Sequence, residues 1–260
     1  MKISVVTVNF NNREGLQKTA ASVVGQTFRD FEWIVVDGGS DDGSKEVIES
    51  YADRIAWWCS EPDRGIYDAM NKGIAHSSGE YLLFLNSADM LFDENVLSAV
   101  IPHLQGKDFY IGDEMRGNHR VRPRVETPQQ ICRALLCGGF LPHQSTFVNR
   151  RIFEVYGPYR DDKKYVSDWW MFFVSLVLGD ATVGKLPVIT TLFDMDGLSS
   201  FYREKMQAEV HALLSEHPRA QFLVDFYKEN SDIVESLRDS RIGFFLFRVY
   251  FWIYRKLRNK

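Results

Sequence analysis

Four near-continuous apolar runs of strand length, at residues 3–10, 31–36, 55–59 and 81–85, dominate the first third of the chain. A segment with helical spacing follows each of them, at 16–25, 44–52, 66–75 and 95–104. Runs without polar alternation read as strands buried on both faces, which is the habit of parallel sheets. Strands alternating with helices imply βαβ units with right-handed crossovers. The expected fold class is therefore α/β, with a Rossmann-like, mostly parallel central sheet flanked by helices. At 260 residues and 45% hydrophobic composition the chain can bury a sizeable core.

Beyond Gly106 the pattern is less regular. Residues 109–111, 143–149 and 188–193 read as strands. Residues 118–128, basic and proline-bearing, read as a loop, and 169–178 as an aromatic-rich helix. Residues 201–214 are helical until His217-Pro218 breaks the pattern, and 222–260 read as further helices. Asp63 is placed to cap the helix at 66–75.

Composition narrows the functional classes. A formal net charge of −4 argues against nucleic acid as the main partner. The three cysteines, Cys59, Cys132 and Cys137, have no CxxC spacing, which favours a reducing compartment and gives no zinc signal. The opening Ile3-Ser4-Val5-Val6-Thr7-Val8 reads as a strand rather than a leader, and no apolar run reaches the ~18–20 residues of a spanning helix. The charge is uneven, because residues 241–260 hold six basic side chains and no acidic one.

Three acidic clusters follow strand-like runs: Asp37-Gly38-Gly39-Ser40-Asp41-Asp42, Asn86-Ser87-Ala88-Asp89, and Asp168 before Trp169-Trp170. In open α/β sheets ligands bind at the carboxyl ends of the strands. There Asp37 can accept hydrogen bonds from a base or ribose; a turn aspartate bonding its own backbone is the alternative. Asp41 and Asp42 read as caps of the helix at 44–52. Asp89, with a diphosphate, can complete the octahedron of Mg²⁺ or Mn²⁺; the alternative is a helix cap. Asp168, partly buried against aromatic rings, is expected to have a raised pKa suited to a general base, again with a helix cap as the alternative. His143 reads either as a structural histidine or as a contact to phosphate or acceptor.

Taken in order, these segments resemble glycosyltransferase family 2, inverting enzymes of the GT-A fold, over roughly residues 1–200. The likeness is nearest to bacterial members that build capsule, colanic-acid-type or exopolysaccharide repeat units. Phe10-Asn11 matches the family's first strand ending, and Val36-Asp37-Gly38-Gly39-Ser40-Asp41-Asp42-Gly43-Ser44 its first acidic segment. Ala69-Met70-Asn71-Lys72-Gly73-Ile74 matches its Ala-x-Asn-x-Gly-Ile helix, after a donor-side loop that runs from Glu61 through Arg64 to Asp68. Leu85-Asn86-Ser87-Ala88-Asp89 stands where the family usually has Leu-Asp-x-Asp-Asp, so only the last acid is kept. Pro142-His143-Gln144 and Ser167-Asp168 match later segments, the second of which supplies the catalytic base.

The resemblance implies a nucleotide-sugar donor and a glycan or lipid-linked acceptor. It implies that Asp37 holds the base near Val8 and Asn9, with Arg64 and Asn71 as further nucleotide contacts. Asn86, Ser87, His143 and Gln144 would contact donor or acceptor, Asp89 would hold a divalent cation (Mn or Mg), and Asp168 would be the base. The expected organisation is a GT-A domain over 1–200, with a nucleotide half to about 106 and an acceptor half beyond it, then a helical C-terminal extension over 201–260. A cytoplasmic location follows, with peripheral contact between 241–260 and an anionic membrane. A non-catalytic nucleotide-sugar-binding protein and a membrane-surface interaction module are the rival readings.

Overall fold

A computed structural model describes residues 3–123, 128–136, 139–193 and 203–229 of the chain. The first half carries β1 (Ile3–Asn9), α1 (Arg13–Val24), β2 (Phe31–Asp37), α2 (Ser44–Ser50), β3 (Trp57–Ser60), α3 (Ile66–His76), β4 (Tyr81–Phe84), β5 (Met90–Leu91) and α4 (Val96–Val100). The second half carries β6 (Phe109–Arg116), β7 (His119–Val121), α5 (Pro128–Leu136), β8 (Thr146–Asn149), α6 (Arg151–Tyr156), α7 (Ser167–Phe172), β9 (Val183–Phe193), α8 (Arg203–Glu216) and α9 (Pro218–Glu229). One mixed sheet runs β3-β2-β1-β4-β8-β6-β9-β5, with β7 paired to β6.

The first four strands are mutually parallel. The β4–β8 and β8–β6 pairs are antiparallel, whereas β6 and β9 run parallel. Alternate residues of each central strand feed opposite faces. Val6, Ile34, Leu82 and Phe84 join one apolar cluster with Tyr67 and Met70 of α3, Leu135 of α5 and Trp169 of α7. Val5, Val35 and Leu83 join another with Leu16 and Val23 of α1, Ile48 of α2 and Leu97 of α4. Both faces are covered, which is why these strands carry no polar alternation. At Gly73 a Cβ would lie 2.3 Å from Val6 Cγ1, so glycine lets α3 sit directly on β1.

Three details differ from expectation. Residues 118–128 are not one loop: 119–121 form the return strand of a hairpin with β6. The positive charge that masks this strand in sequence is paired with a β6 acid, Arg120 with Asp113 at 2.6 Å. Asp63 does not cap α3; its carboxylate takes the Gly65 N–H at 2.8 Å in a short turn, and Gly65 is the residue that precedes the helix. Finally, β9 begins at Val183 rather than 188. Pro187 hides its start. The β6–β9 register slips opposite it, between Ile111↔Lys185 and Asp113↔Ile189, and a residue without an N–H is tolerated at such an irregularity.

The described part of the expected extension packs into the core. Leu213, Leu214, Leu223 and Val224 are buried in the cluster that holds Trp169 and Trp170. The His217 ring stacks on Trp170 at 4.5 Å. Glu209 of α8 accepts the Lys164 and Tyr165 N–H groups at 2.8 and 2.7 Å, fixing the segment that leads into α7. Residues 230–260, which carry the expected membrane contact, lie outside the described residues.

Candidate active site

The parallel strands deliver their carboxyl ends to one edge. Asn9 ends β1 beside Asp37 at the end of β2, and Ser60 ends β3 next to it. Asp37 is fully buried and receives four hydrogen bonds. They come from Asn9 Nδ2 at 2.7 Å, Ser40 Oγ at 2.5 Å, Ser40 N at 2.9 Å and Ser60 Oγ at 2.7 Å. Burial alone would raise its carboxyl pKa. The donors from Ser40, Ser60 and Asn9 outweigh burial and hold it below the ordinary value. Asp37 is thus both the turn aspartate and the anchor of the strand-end loop. Gly39, with φ +80°, lets that loop turn back against Pro62. Phe10, 64% exposed, and Asp63 flank Gly38. Val8 lies in the wall and contributes its carbonyl to Ser87 N at 3.0 Å. Asp42 serves two helix starts, accepting Arg13 N at 2.8 Å and Ser44 N at 3.0 Å.

The second cluster follows β4. Asn86-Ser87-Ala88-Asp89 closes a turn in which Asp89 N meets Asn86 O at 3.0 Å. Ala88 takes a left-handed φ of 84°, an unfavourable conformation for alanine. Thr19, buried in α1, holds the turn. Its hydroxyl donates to Asp89 O at 2.7 Å and accepts from Ala88 N at 3.0 Å. Asp89 itself is buried.

The third cluster joins the two halves of the sheet. Asp168 lies in the first turn of α7, but Val166 occupies the cap position, so the helix-cap alternative does not hold. Asp168 Oδ1 accepts the Tyr67 hydroxyl at 2.7 Å. Its Oδ2 stands 3.1 Å from His143 Nδ1. His143 Nε2 in turn lies 3.2 Å from Asn86 Nδ2. Tyr67, Asp168, His143 and Asn86 therefore form one polar chain from α3 to the end of β4.

The electrostatics correct an expectation. Burial would raise the Asp168 pKa, but the hydrogen bond and charge of His143, with the Tyr67 bond, bring it below the ordinary value. Burial would lower the His143 pKa, but the hydrogen bond and charge of Asp168, then the charges of Asp89 and Glu114, raise it. Each group thus favours the charged form of the other. Asn86 Oδ1 is buried without a partner.

The remaining sequence candidates have other partners. The Asn71 amide makes one bond at each end to the Tyr159 backbone, at 2.8 and 2.9 Å, so Asn71 clamps α3 to the second half. Arg64 pairs with Asp68 at 2.8 Å and with Asp161. Gln144 is buried and donates to Glu114 Oε2 at 2.7 Å. Ser87 is held between Val8 O and Asn12 Nδ2, the latter at 3.5 Å. Sequence reasoning missed Thr19, Ser40, Ser60 and Tyr67. Ser40 and Ser60 lie next to strand ends, where a polar residue after an apolar run is a usable signal. Tyr67 carries no such mark, because a tyrosine on the apolar face of a helix reads as core.

Among the described residues no three His, Cys, Asp or Glu side chains come together as a cation cage. The donor set at the β4 turn is one carboxylate, Asp89, among neutral neighbours. That set suits a Mg²⁺- or Mn²⁺-type ion that takes most of its oxygens from a bound diphosphate and water; it does not suit a resident metal.

The sheet order, the strand-end loops and this polar chain define an α/β domain whose polar cluster gathers at the carboxyl ends of its parallel strands. Residues 4–156 match the family described as glycosyl transferase family 2, and the chain belongs to that family. An uncharacterised glycosyltransferase of Mycobacterium tuberculosis is 38% identical over 173 residues, which cover 64% of this chain and 65% of that protein. The chain thus spans just under two thirds of that relative. A PGL/p-HBAD biosynthesis glycosyltransferase of Mycobacterium bovis is 29% identical over 174 residues, 64% of this chain and 66% of that one. Among solved structures, Staphylococcus aureus TarS in complex with UDP-GlcNAc superposes with a TM-score of 0.63 at 17% identity, covering 78% of this chain and 61% of that one. The mannosyltransferase PcManGT of Pyrobaculum calidifontis, with GDP-Man and Mn²⁺, gives 0.62 at 14% identity over 96% and 79% of the two chains. These likenesses establish the GT-A fold. Among the described residues no helix is long and apolar enough to cross a membrane.

Proposed function

We propose that the chain is an inverting glycosyltransferase. It would move a sugar from a nucleotide-sugar donor to a glycan or lipid-linked acceptor in cell-surface polysaccharide assembly. The observation that carries this reading is the buried Asp168 carboxylate, held by Tyr67 and His143 beside the strand-end turn of Asn86 and Asp89.

The nucleotide would lie over the Asp37-anchored loop, with Phe10 and Asn9 nearby. The loop fixes the donor because Asp37, Ser40 and Ser60 fix the loop. Each Asp168 oxygen keeps a second lone pair after its hydrogen bond to Tyr67 or His143. It can therefore accept the proton of an acceptor hydroxyl as that oxygen attacks the anomeric carbon from the face opposite the leaving group. The new C–O bond forms, the anomeric C–O bond to phosphate breaks, and the nucleoside diphosphate leaves with the electron pair. The charges of Asp168, Asp89 and Glu114 favour protonation of His143, and in that form it would offset negative charge on that side of the site. When bound, a divalent cation held partly by Asp89 would neutralise the departing diphosphate.

The organisation proposed is a catalytic domain over 1–200, whose acceptor half begins near 107, with the segment from 201 serving it. The location proposed is the cytoplasmic face of the membrane. A rival reading, nucleotide-sugar binding without turnover, is favoured by the neutral Asn86 and Ala88 in place of acids. Incubating the purified protein with a panel of nucleotide sugars, with and without a lipid-linked acceptor, separates the two. Release of nucleoside diphosphate, and an anomeric configuration opposite to that of the donor by NMR, are expected. Tight donor binding with no release from any donor would support the rival.

A further inference from the structure

The residue that links the donor half of the site to Asp168 is Tyr67. We propose that Tyr67 is a positioning residue of the reaction: its hydroxyl sets the orientation and basicity of the Asp168 carboxylate and ties them to the placement of α3. This rests on the reading of Asp168 as the base.

Tyr67 is buried, and its oxygen meets Asp168 Oδ1 at 2.7 Å across 101 positions of sequence. Burial, then the charge and hydrogen bond of Asp168, push its own pKa well above the ordinary phenol value, so it stays a donor. Asn71, one turn further along α3, makes the paired bonds to the Tyr159 backbone. The Tyr67 and Tyr159 rings lie 5.6 Å apart. One face of α3 therefore grips the second half at two levels, and only the upper level touches the carboxylate. The other side of α3 rests on β1 through Gly73 and Val6. Its leading loop, through Glu61 and Pro62, packs against Gly39 beside Asp37. The nucleotide loop and the Asp168 carboxylate are thus fixed to the same helix.

The carboxylate has a second holder, His143, at 3.1 Å. Two donors at different oxygens fix the plane of the group, whereas one alone leaves it free to rotate. Losing the Tyr67 bond would therefore cost geometry as well as acidity. A carboxylate displaced by about 1 Å can lose ~10²-fold in rate. A carboxylate that loses a donor becomes more basic. The other groups facing the pair are Tyr159, whose own pKa is raised by burial and by the Asp168 charge, and Asp89 and Glu114 towards His143.

The test is Tyr67→Phe, which removes one oxygen and keeps the packed ring. Transfer kinetics should show kcat reduced by about tenfold to a hundredfold, with KM for the donor within about twofold. The acid limb of the kcat/KM profile should move up by about one pH unit. A second measurement does not need turnover: the His143 ring nitrogens are titrated by NMR, with the other five histidines as internal controls. Tyr67→Phe should raise the His143 midpoint, because the freed carboxylate binds the imidazolium more strongly. In an Asp168→Asn background the same substitution should leave that midpoint in place. An unmoved His143 midpoint overturns the proposal, as does a lower kcat with an unmoved acid limb that Asn71→Ala reproduces. Were wild type to turn over no donor, the catalytic reading would fall, while the NMR comparison would still decide whether Tyr67 acts on Asp168.

Discussion

His143 Nδ1 stands 3.1 Å from Asp168 Oδ2, and the two groups shift each other's protonation in opposite directions. The raised His143 pKa contributes stability that is fully present below the unfolded histidine value of about 6.5 and lost as pH rises through the folded value. The lowered Asp168 pKa contributes stability present above the unfolded carboxyl value of about 3.9 and lost as pH falls through the folded value. The pair should therefore stabilise the protein most between those limits. Melting temperatures of wild type and His143→Gln across pH 4 to 9 check this (an assay range of about that width suffices). The difference between them should be largest at about pH 5 to 6, between those reference values, and shrink towards about pH 9. A difference that is flat with pH would mean that His143 is neutral in the fold.

Asp168→Asn should lower transfer by ~10²–10⁴-fold, because an amide cannot take up the acceptor proton. Donor affinity should stay within about a few-fold, since Asp168 is carried by α7 and makes none of the hydrogen bonds that hold the Asp37 loop. Single-turnover rates and calorimetric donor binding read the two effects separately. Wild-type-like turnover in the variant would remove Asp168 from the chemistry.

Asp37 carries a different burden. Its carboxylate satisfies donors from Asn9, Ser40 and Ser60, all brought in by different segments. Asp37→Ala strands those donors in a buried place, at about 1–3 kcal/mol for each group left unsatisfied. The variant should lose nucleotide affinity and melt at lower temperature together. A binding loss at unchanged melting temperature would instead point to direct contact between Asp37 and the base.

These assignments show how much the sequence reveals. The parallel half was legible because strands covered on both faces, such as those holding Val5-Val6 and Leu82-Leu83, leave long apolar runs. The strand-end acids Asp37 and Asp89 were legible because a carboxylate after such a run is conspicuous; Asp168, which the sequence also sets after a strand-like run, lies instead in the first turn of α7, with no strand between α6 and α7. The β6–β7 hairpin was not, because Arg120 sits in the strand and its neutralising partner Asp113 is seen only in three dimensions. The sign of the Asp168 shift was not legible either. Its aromatic neighbours are adjacent in sequence, whereas the two donors that reverse the effect, Tyr67 and His143, are far away. Asn71 matched a family segment, yet its amide is occupied by the Tyr159 backbone, a pairing no local pattern announces.

The C-terminal prediction rests on sequence, since 230–260 lie outside the described residues. Arg241, Arg248 and Arg255 recur every seven positions among aromatic and aliphatic residues. A helix of that kind suits the plane of an anionic bilayer. The full chain should co-sediment with anionic vesicles at low salt and release at high salt, and a chain ending at Ser240 should not. Equal binding by both forms would exclude the tail as the contact.

Asp89 decides whether a cation takes part. It is the single carboxylate of the β4 turn, in a backbone held by Thr19 and strained at Ala88. One carboxylate cannot hold Mn²⁺ or Mg²⁺ firmly by itself, but it can complete the shell of an ion already bound to a diphosphate. Binding of metal and nucleotide should therefore be mutually dependent. Calorimetry should show weak Mn²⁺ binding to the protein alone and nucleoside diphosphate affinity at least about tenfold higher with Mn²⁺ than in EDTA, a coupling of about 1.4 kcal/mol. Asp89→Ala should abolish the difference and leave the metal-free affinity in place. If wild type bound the nucleotide equally well in EDTA, the positive charge at the diphosphate would have to come from the chain itself. His143, which the polar chain brings to the β4 turn, is the group whose protonated form would supply it, and its substitution by Gln would then cause the larger loss.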